Sequence, residues 1–133
     1  MPRISFSSIF VSDQRRAKAF YTTILGFQLA VDRPAGDDRW LAVVSDDDPS
    51  GTQLLLEPAD AATGRSRQNA LFRQGIPATS FEVDDIDYEY ERLVAEGVTF
   101  QSPPTDSGGV RSCILDDTCG NWIRLTEPIE EDQ

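Results

Sequence analysis

Any chemistry in this chain is done without imidazole. Its 133 residues include no histidine. That removes Ser-His-Asp and Cys-His nucleophile systems, and also the ligands on which most catalytic zinc, iron and nickel sites depend. Acid–base work falls to carboxylates, tyrosine, lysine or water. The two cysteines, Cys113 and Cys119, have no imidazole to activate them and read as free thiols rather than a bridge. The run Asp46-Asp47-Asp48 carries the oxygens a hard cation prefers, but Pro49-Ser50-Gly51 follows it and the segment reads first as an exposed turn.

Charge narrows the partners. With 23 acidic and 12 basic residues the net charge is −11. A surface of that sign repels phosphate backbones and anionic lipid, so neither nucleic acid nor membrane is expected as a partner. It would favour a cationic ligand, or it serves solubility alone. No apolar run approaches the ~20 residues that cross a bilayer. Met1 to Phe10 lacks the continuous apolar core of a signal peptide. A cytoplasmic location is expected.

Hydrophobic patterning shows one motif used twice. Ile4 to Val11 alternates as a strand. Asp13 then offers a helix cap, Ala17, Phe20, Tyr21 and Ile24 recur at helical spacing, and Gly26 supplies a helix end. Phe27 to Asp32, Arg39 to Ser45 and Thr52 to Glu57 follow as strands, separated by turn-rich segments. Ala78 to Val83 restarts the pattern. Asp84-Asp85 stands where Ser12-Asp13 stood, and Ile86, Tyr90, Leu93 and Val94 form the helical stripe. Gly97 matches Gly26. Val98 to Gln101, Arg111 to Leu115 and Asn121 to Thr126 are the remaining strands. This gives an α+β fold of two tandem βαβββ modules, whose curved mixed sheets surround a central cleft. Module one spans about 3–58, a linker about 59–76, module two about 77–127 and an acidic tail 128–133. The linker is a passive crossover or a lid, with a short helical turn at Ala70-Leu71-Phe72. Gly108-Gly109 beside Pro103-Pro104 reads as a mobile loop.

Several phrases, in order, resemble the vicinal oxygen chelate group (glyoxalases, bleomycin resistance proteins and extradiol dioxygenases). They are Val11-Ser12-Asp13, Phe20-Tyr21, Leu25-Gly26-Phe27, Phe81-Glu82-Val83-Asp84-Asp85-Ile86, Glu96-Gly97-Val98 and Asp117-Thr118-Cys119-Gly120-Asn121-Trp122-Ile123. The last is similar to the family's D-P-x-G-N-x-I hairpin, with Thr118 replacing proline. The resemblance implies a homodimer in many members, and metal ligands on four strands in the catalytic ones. Carried onto this chain, those positions fall at Phe6, Ala78, Arg124 and Leu54. Slipping the fourth strand by three residues gives Glu57 instead. A ring, a methyl group and a guanidinium cannot donate to a divalent cation, so no metal and no cofactor is expected.

Strand alternation puts Ser8 and Phe10 with Phe6, Ser80 and Glu82 with Ala78, and Trp122 and Thr126 with Arg124. If these faces line the cleft, the ligand-binding set is Phe6, Ser8, Phe10, Trp40, Leu54, Ala78, Ser80, Trp122 and Arg124. Trp40 would stack on a planar ligand or cover a subunit contact. Arg124 would grip a carboxylate or phosphate, or pair with Glu82 or Glu57. The resemblance, with those altered ligand positions, implies a metal-free protein that binds a small organic molecule, with sequestration of a planar or aromatic compound as the role expected of it. The alternative is a lyase, isomerase or dioxygenase of the same group, either with Glu57 or Glu82 as base and Arg124 stabilising an oxyanion, or with a non-standard metal site.

Overall fold

Side-chain alternation sets the sheets of the computed structural model, which describes residues 1–59 and 62–129. Strands β1 (Phe6–Val11), β2 (Gln28–Ala35), β3 (Asp38–Val44) and β4 (Gln53–Pro58) form one sheet, ordered β1-β4-β3-β2. Strands β5 (Pro77–Glu82), β6 (Thr105–Ser107), β7 (Val110–Asp116) and β8 (Trp122–Pro128) form a second, ordered β5-β8-β7-β6. In each sheet the first strand runs parallel to the last, and the others are antiparallel. The two sheets are therefore two copies of one βαβββ module.

Each crossover helix starts at the expected aspartate. Asp13 caps α1 (Gln14–Ala19) by accepting from the backbone N–H groups of Arg15 and Arg16 at 3.0 and 3.1 Å. The helix widens into a π-type turn over Phe20–Ile24, which buries Phe20 and Tyr21. Asp85 caps α3 (Ile86–Ala95), which buries Ile86 and Leu93. Gly26 and Gly97 end the two helical segments with φ of 91° and 90°, a conformation that side-chain-bearing residues rarely adopt.

One core serves both modules. Ile9, Val11, Leu54 and Leu56 enter it from the first sheet, Cys113, Leu115, Ile123 and Leu125 from the second, and Tyr21, Ile86 and Leu93 from the helices. Burial of such side chains, worth ~1.5–3 kcal/mol each, is what holds the halves together.

The fold departs from the sequence reading in three places. Val98 to Gln101 is no strand. Phe100 makes a single bridge to Leu115, and the strand at that edge is the short β6. Pro103 and Pro104 lack the N–H groups a ladder needs, so the pairing at Phe100 stops before them and resumes as β6 after them. Gly108-Gly109 is the tight turn between β6 and β7 rather than an open loop. Within the linker, a helix of 12 residues, α2 (Ala62–Arg73), replaces the expected short turn. Of the acidic tail, Glu130, Glu131 and Asp132 lie outside the described residues.

A buried polar network locks the β7–β8 hairpin to module one. Asp117 is fully buried. Its carboxylate accepts from Tyr21 Oη (2.7 Å), Asn121 Nδ2 (2.9 Å) and the backbone N–H groups of Cys119 (2.7 Å) and Asn121 (3.0 Å). Asn121 Nδ2 also donates to the Phe10 carbonyl at 2.7 Å. Gln68 Nε2, on α2, donates to the carbonyls of Phe10 (2.9 Å) and Cys119 (2.8 Å). Burial raises the Asp117 carboxyl above the usual aspartate range, and its hydrogen bonds offset part of that. Burial first, and the Asp117 charge second, push the Tyr21 hydroxyl well above its ordinary value.

Candidate functional site

Residues paired across a ladder share a face. In the first sheet Phe6 pairs with Gln53, Ser8 with Leu55 and Phe10 with Glu57. These six side chains form one face, while Ile9, Val11, Leu54 and Leu56 form the core face. In the second sheet Ser80 pairs with Arg124 and Glu82 with Thr126. On the other side of β8, Arg124 pairs with Ile114 and Trp122 with Asp116. The face away from the core thus carries Ser80, Glu82, Trp122, Arg124 and Thr126, as the alternation predicts.

Two predicted lining residues are corrected. Leu54 pairs with Ser7 and is buried in the core, and the residue on the lining face is Leu55. The physical reason is a one-residue difference in register. The ladders align Leu54 and Leu56 with the buried Ile123 and Leu125, so Leu55 stands where Arg124 stands. The same register puts Glu57 on the lining face beside Phe10. Ala78 also leaves the set. A bulge between Pro77 and Thr79 interrupts the alternation, and Ala78 packs against the core.

The remaining members differ in how open they are. Phe6 is 53% exposed and Trp40 39% exposed, and Ser8 and Ser80 are exposed too. Phe10, Trp122 and Arg124 are half-buried. Trp40 lines a cavity of 190 Å³ with Leu55 and Glu57. Helix α2 explains the cover over Phe10 and Trp122. A β-carbon added at Gly64 would meet the Phe10 ring at 2.9 Å. Further along the helix, Phe72 stacks on Trp122 with ring centres 4.9 Å apart and planes 6° apart. The indole Nε1 donates to the Phe72 carbonyl at 3.0 Å. One helix therefore touches the lining face of each sheet.

Arg124 makes no side-chain hydrogen bond or ion pair among the described residues, whereas Arg39, Arg92 and Arg111 all pair with carboxylates. Neither Glu57 nor Glu82 neutralises it. Arg124 is half-buried and stands two residues from Trp122 on one face of β8, with hydroxyls at Ser80 and Thr126, and its guanidinium offers a planar fork of donors to an anionic oxygen pair. Phe6, Arg124 and Leu55 have no lone pair to offer a divalent cation, so these positions do not fit the metal of the catalytic vicinal oxygen chelate proteins.

The cysteines are not reactive centres. Both are free and buried. Desolvation pushes Cys113 up to about 11 and Cys119 up to about 12, so neither is a thiolate near neutrality. Asp46 and Asp47 sit on an exposed turn that rims a cavity of 730 Å³ with Asp84, Asp85 and Glu89, over Phe27, Phe81 and Leu93. Of the predicted site residues only Ser80 and Glu82 reach it.

Sequence reasoning placed a short helical turn at Ala70-Leu71-Phe72 but missed the full extent of α2 and the stacking of Phe72 on Trp122. The helix has no clear apolar stripe, and the signal for Phe72 is tertiary: the aromatic partner on β8.

The family model described as "Glyoxalase/Bleomycin resistance protein/Dioxygenase superfamily" matches residues 3–125. The Bacillus subtilis (strain 168) protein YurT is 47% identical over 125 residues, covering 94% of this chain and 98% of YurT. Among solved structures, UcmS2 superposes with a TM-score of 0.81 at 32% identity, covering 95% of this chain and 98% of UcmS2. TnmS3, an antibiotic binding protein from Streptomyces sp. CB03234, superposes with a TM-score of 0.77 at 29% identity, covering 96% of this chain and 97% of TnmS3.

Proposed function

The chain belongs to the glyoxalase/bleomycin resistance protein/dioxygenase superfamily, and from that premise we propose that it binds, without a metal, a small planar molecule bearing an anionic group. The observation that carries this reading is Arg124: a half-buried residue on the lining face, two positions along β8 from Trp122, with no carboxylate partner among the described residues. A ligand carboxylate or phosphate would give its planar fork of N–H donors an anionic partner. Trp122 adds a flat surface for a ring. The antibiotic-binding activity in the name of TnmS3 supports a binding role over a catalytic one. The metal-free element rests on the residue types at the family's ligand positions.

A homodimer belongs to the same proposal. Phe6 and Trp40 lie on open lining faces in the single chain, and a second copy laid against these faces would cover them and deepen the cleft. The ligand then sits between subunits, in a cytoplasmic protein.

The test is a fluorescence titration with 1-pyrenecarboxylate, a flat anionic probe, with and without EDTA. The expected result is saturable binding that EDTA leaves unchanged and that Arg124→Gln weakens by about 10- to 100-fold, the worth of a charge-assisted hydrogen-bond pair. Equal affinity in the variant, or binding abolished by EDTA, refutes the proposal. Sedimentation of the apo protein tests the dimer.

A further inference from the structure

We infer that Phe72 is a built-in occupant of the ligand's stacking place on Trp122, and that a planar ligand binds by displacing it. The inference rests on the reading of the lining face as a ligand site and adds how that site is kept closed.

The Phe72–Trp122 contact differs from the chain's other aromatic pairs in kind and in place. Its rings are nearly parallel at 6°, whereas the other ring pairs among the described residues cross at 32–89°. Those pairs all include a ring in or against the shared core. Phe72 and Trp122 lie outside that core, on the lining face. A face-to-face phenyl on an indole is the arrangement a flat ligand would adopt there.

The attachment of α2 allows the ring to leave. The helix is held at mid-length by Gln68, whose Nε2 bonds to the carbonyls of Phe10 and Cys119. Phe72 lies one turn further on and half-buried, beside the exposed Arg73. A rotamer change at Phe72 moves the ring off Trp122 without breaking the Gln68 bonds or the bond from the indole Nε1 to the Phe72 backbone carbonyl, because both hold the backbone and not the phenyl ring. Gly75, with φ of 70°, ends the segment.

The geometry also sets the ligand class. Trp122 and Arg124 are two residues apart on one face of β8, about 7 Å along a strand. The ligand is a fused or substituted aromatic whose anionic group reaches that far from the stacked ring. In the closed state it competes with Phe72, so its apparent affinity is lowered by the fraction of molecules that are closed.

The experiment compares wild-type protein, Phe72→Ala and Phe72→Leu. In a Trp40→Phe background Trp122 is the sole indole, since the chain has two tryptophans. There, Phe72→Ala is expected to red-shift Trp122 emission and raise its quenching by acrylamide. With Trp40 retained, 1-pyrenecarboxylate is expected to bind Phe72→Ala about threefold to tenfold tighter than wild type, with Phe72→Leu between them. Cyclohexanecarboxylate, which is not flat, is expected to gain nothing. Weaker binding by both variants, each folded by circular dichroism, overturns the inference while leaving the ligand reading intact, because Phe72 would then be a wall of the site. Unchanged affinity overturns it as well. If neither wild type nor variants bind the probe, the ligand reading fails and this inference falls with it.

Discussion

Replacing Asp117 by alanine removes the acceptor at the centre of the network joining the β7–β8 hairpin to module one. Three donors lose the only partner they have among the described residues: Tyr21 Oη and the backbone N–H groups of Cys119 and Asn121. Asn121 Nδ2 keeps its bond to the Phe10 carbonyl. A buried donor left unsatisfied costs about 1–3 kcal/mol, so three cost roughly 3–9 kcal/mol. Removing a desolvated carboxyl returns part of this, and water entering the space returns more. The expected net loss is about 3–5 kcal/mol, against a domain stability of about 5–15 kcal/mol. Urea unfolding followed by far-ultraviolet circular dichroism measures it, and the thermal midpoint should fall by about 10–20 °C. Asp116→Asn is the control on the same hairpin, because Asp116 caps one exposed N–H, that of Thr118. Its loss should stay under about 1 kcal/mol. A loss below about 1 kcal/mol for Asp117→Ala would show that the network does not join the modules in the way argued.

The same hairpin yields a steric prediction. Gly120 has φ of 95°, and a β-carbon there would stand 2.7 Å from Gln68 Nε2. Gly120→Ala is expected to cost about 1–3 kcal/mol, and adding Gln68→Ala should cost less than the sum of the two single changes, as chemical denaturation will show. The raised Asp117 carboxyl predicts a pH effect of definite sign. The folded chain holds that proton more tightly than the unfolded chain, so this group favours folding at low pH. That contribution is lost as pH rises from the ordinary value of 3.8 through the raised one. Relative to Asp117→Asn, wild-type stability should therefore fall across that window; a rise would contradict the burial argument. Cys113 and Cys119, raised to about 11 and about 12, should resist a thiol-specific disulfide reagent at pH 8 until urea unfolds the chain. Rapid labelling of the native protein would show that the hairpin opens.

What the sequence disclosed depended on whether the information was local. Phe6, Ser8 and Phe10 sharing a face follows from strand periodicity alone, as do the pairs Ser80 with Glu82 and Trp122 with Arg124, whereas bringing those two strands to one cleft came from the family resemblance. The caps Asp13 and Asp85 and the helix ends Gly26 and Gly97 were legible because they too are local. Register is a property of two strands together, and Leu54-Leu55-Leu56 is apolar at every position, so nothing in β4 showed which leucine faces the site. The bulge that moves Ala78 is likewise a matter of pairing. Helix α2 contains Thr63, Gly64, Ser66 and Asn69, which are indifferent or poor helix formers. Its visible anchors are Gln68 in the buried network and Phe72 on Trp122, both tertiary. Strand β6, Thr-Asp-Ser, carries no apolar residue and exists because β7 supplies a ladder.

The most direct measurement is a crystal structure of the protein grown with 1-pyrenecarboxylate. The account predicts the ring against Trp122, the Phe72 side chain swung away and the carboxylate held by Arg124. A probe lodged in the acid-rimmed cavity beside Asp46 and Asp84, or bound through a metal ion, would contradict it.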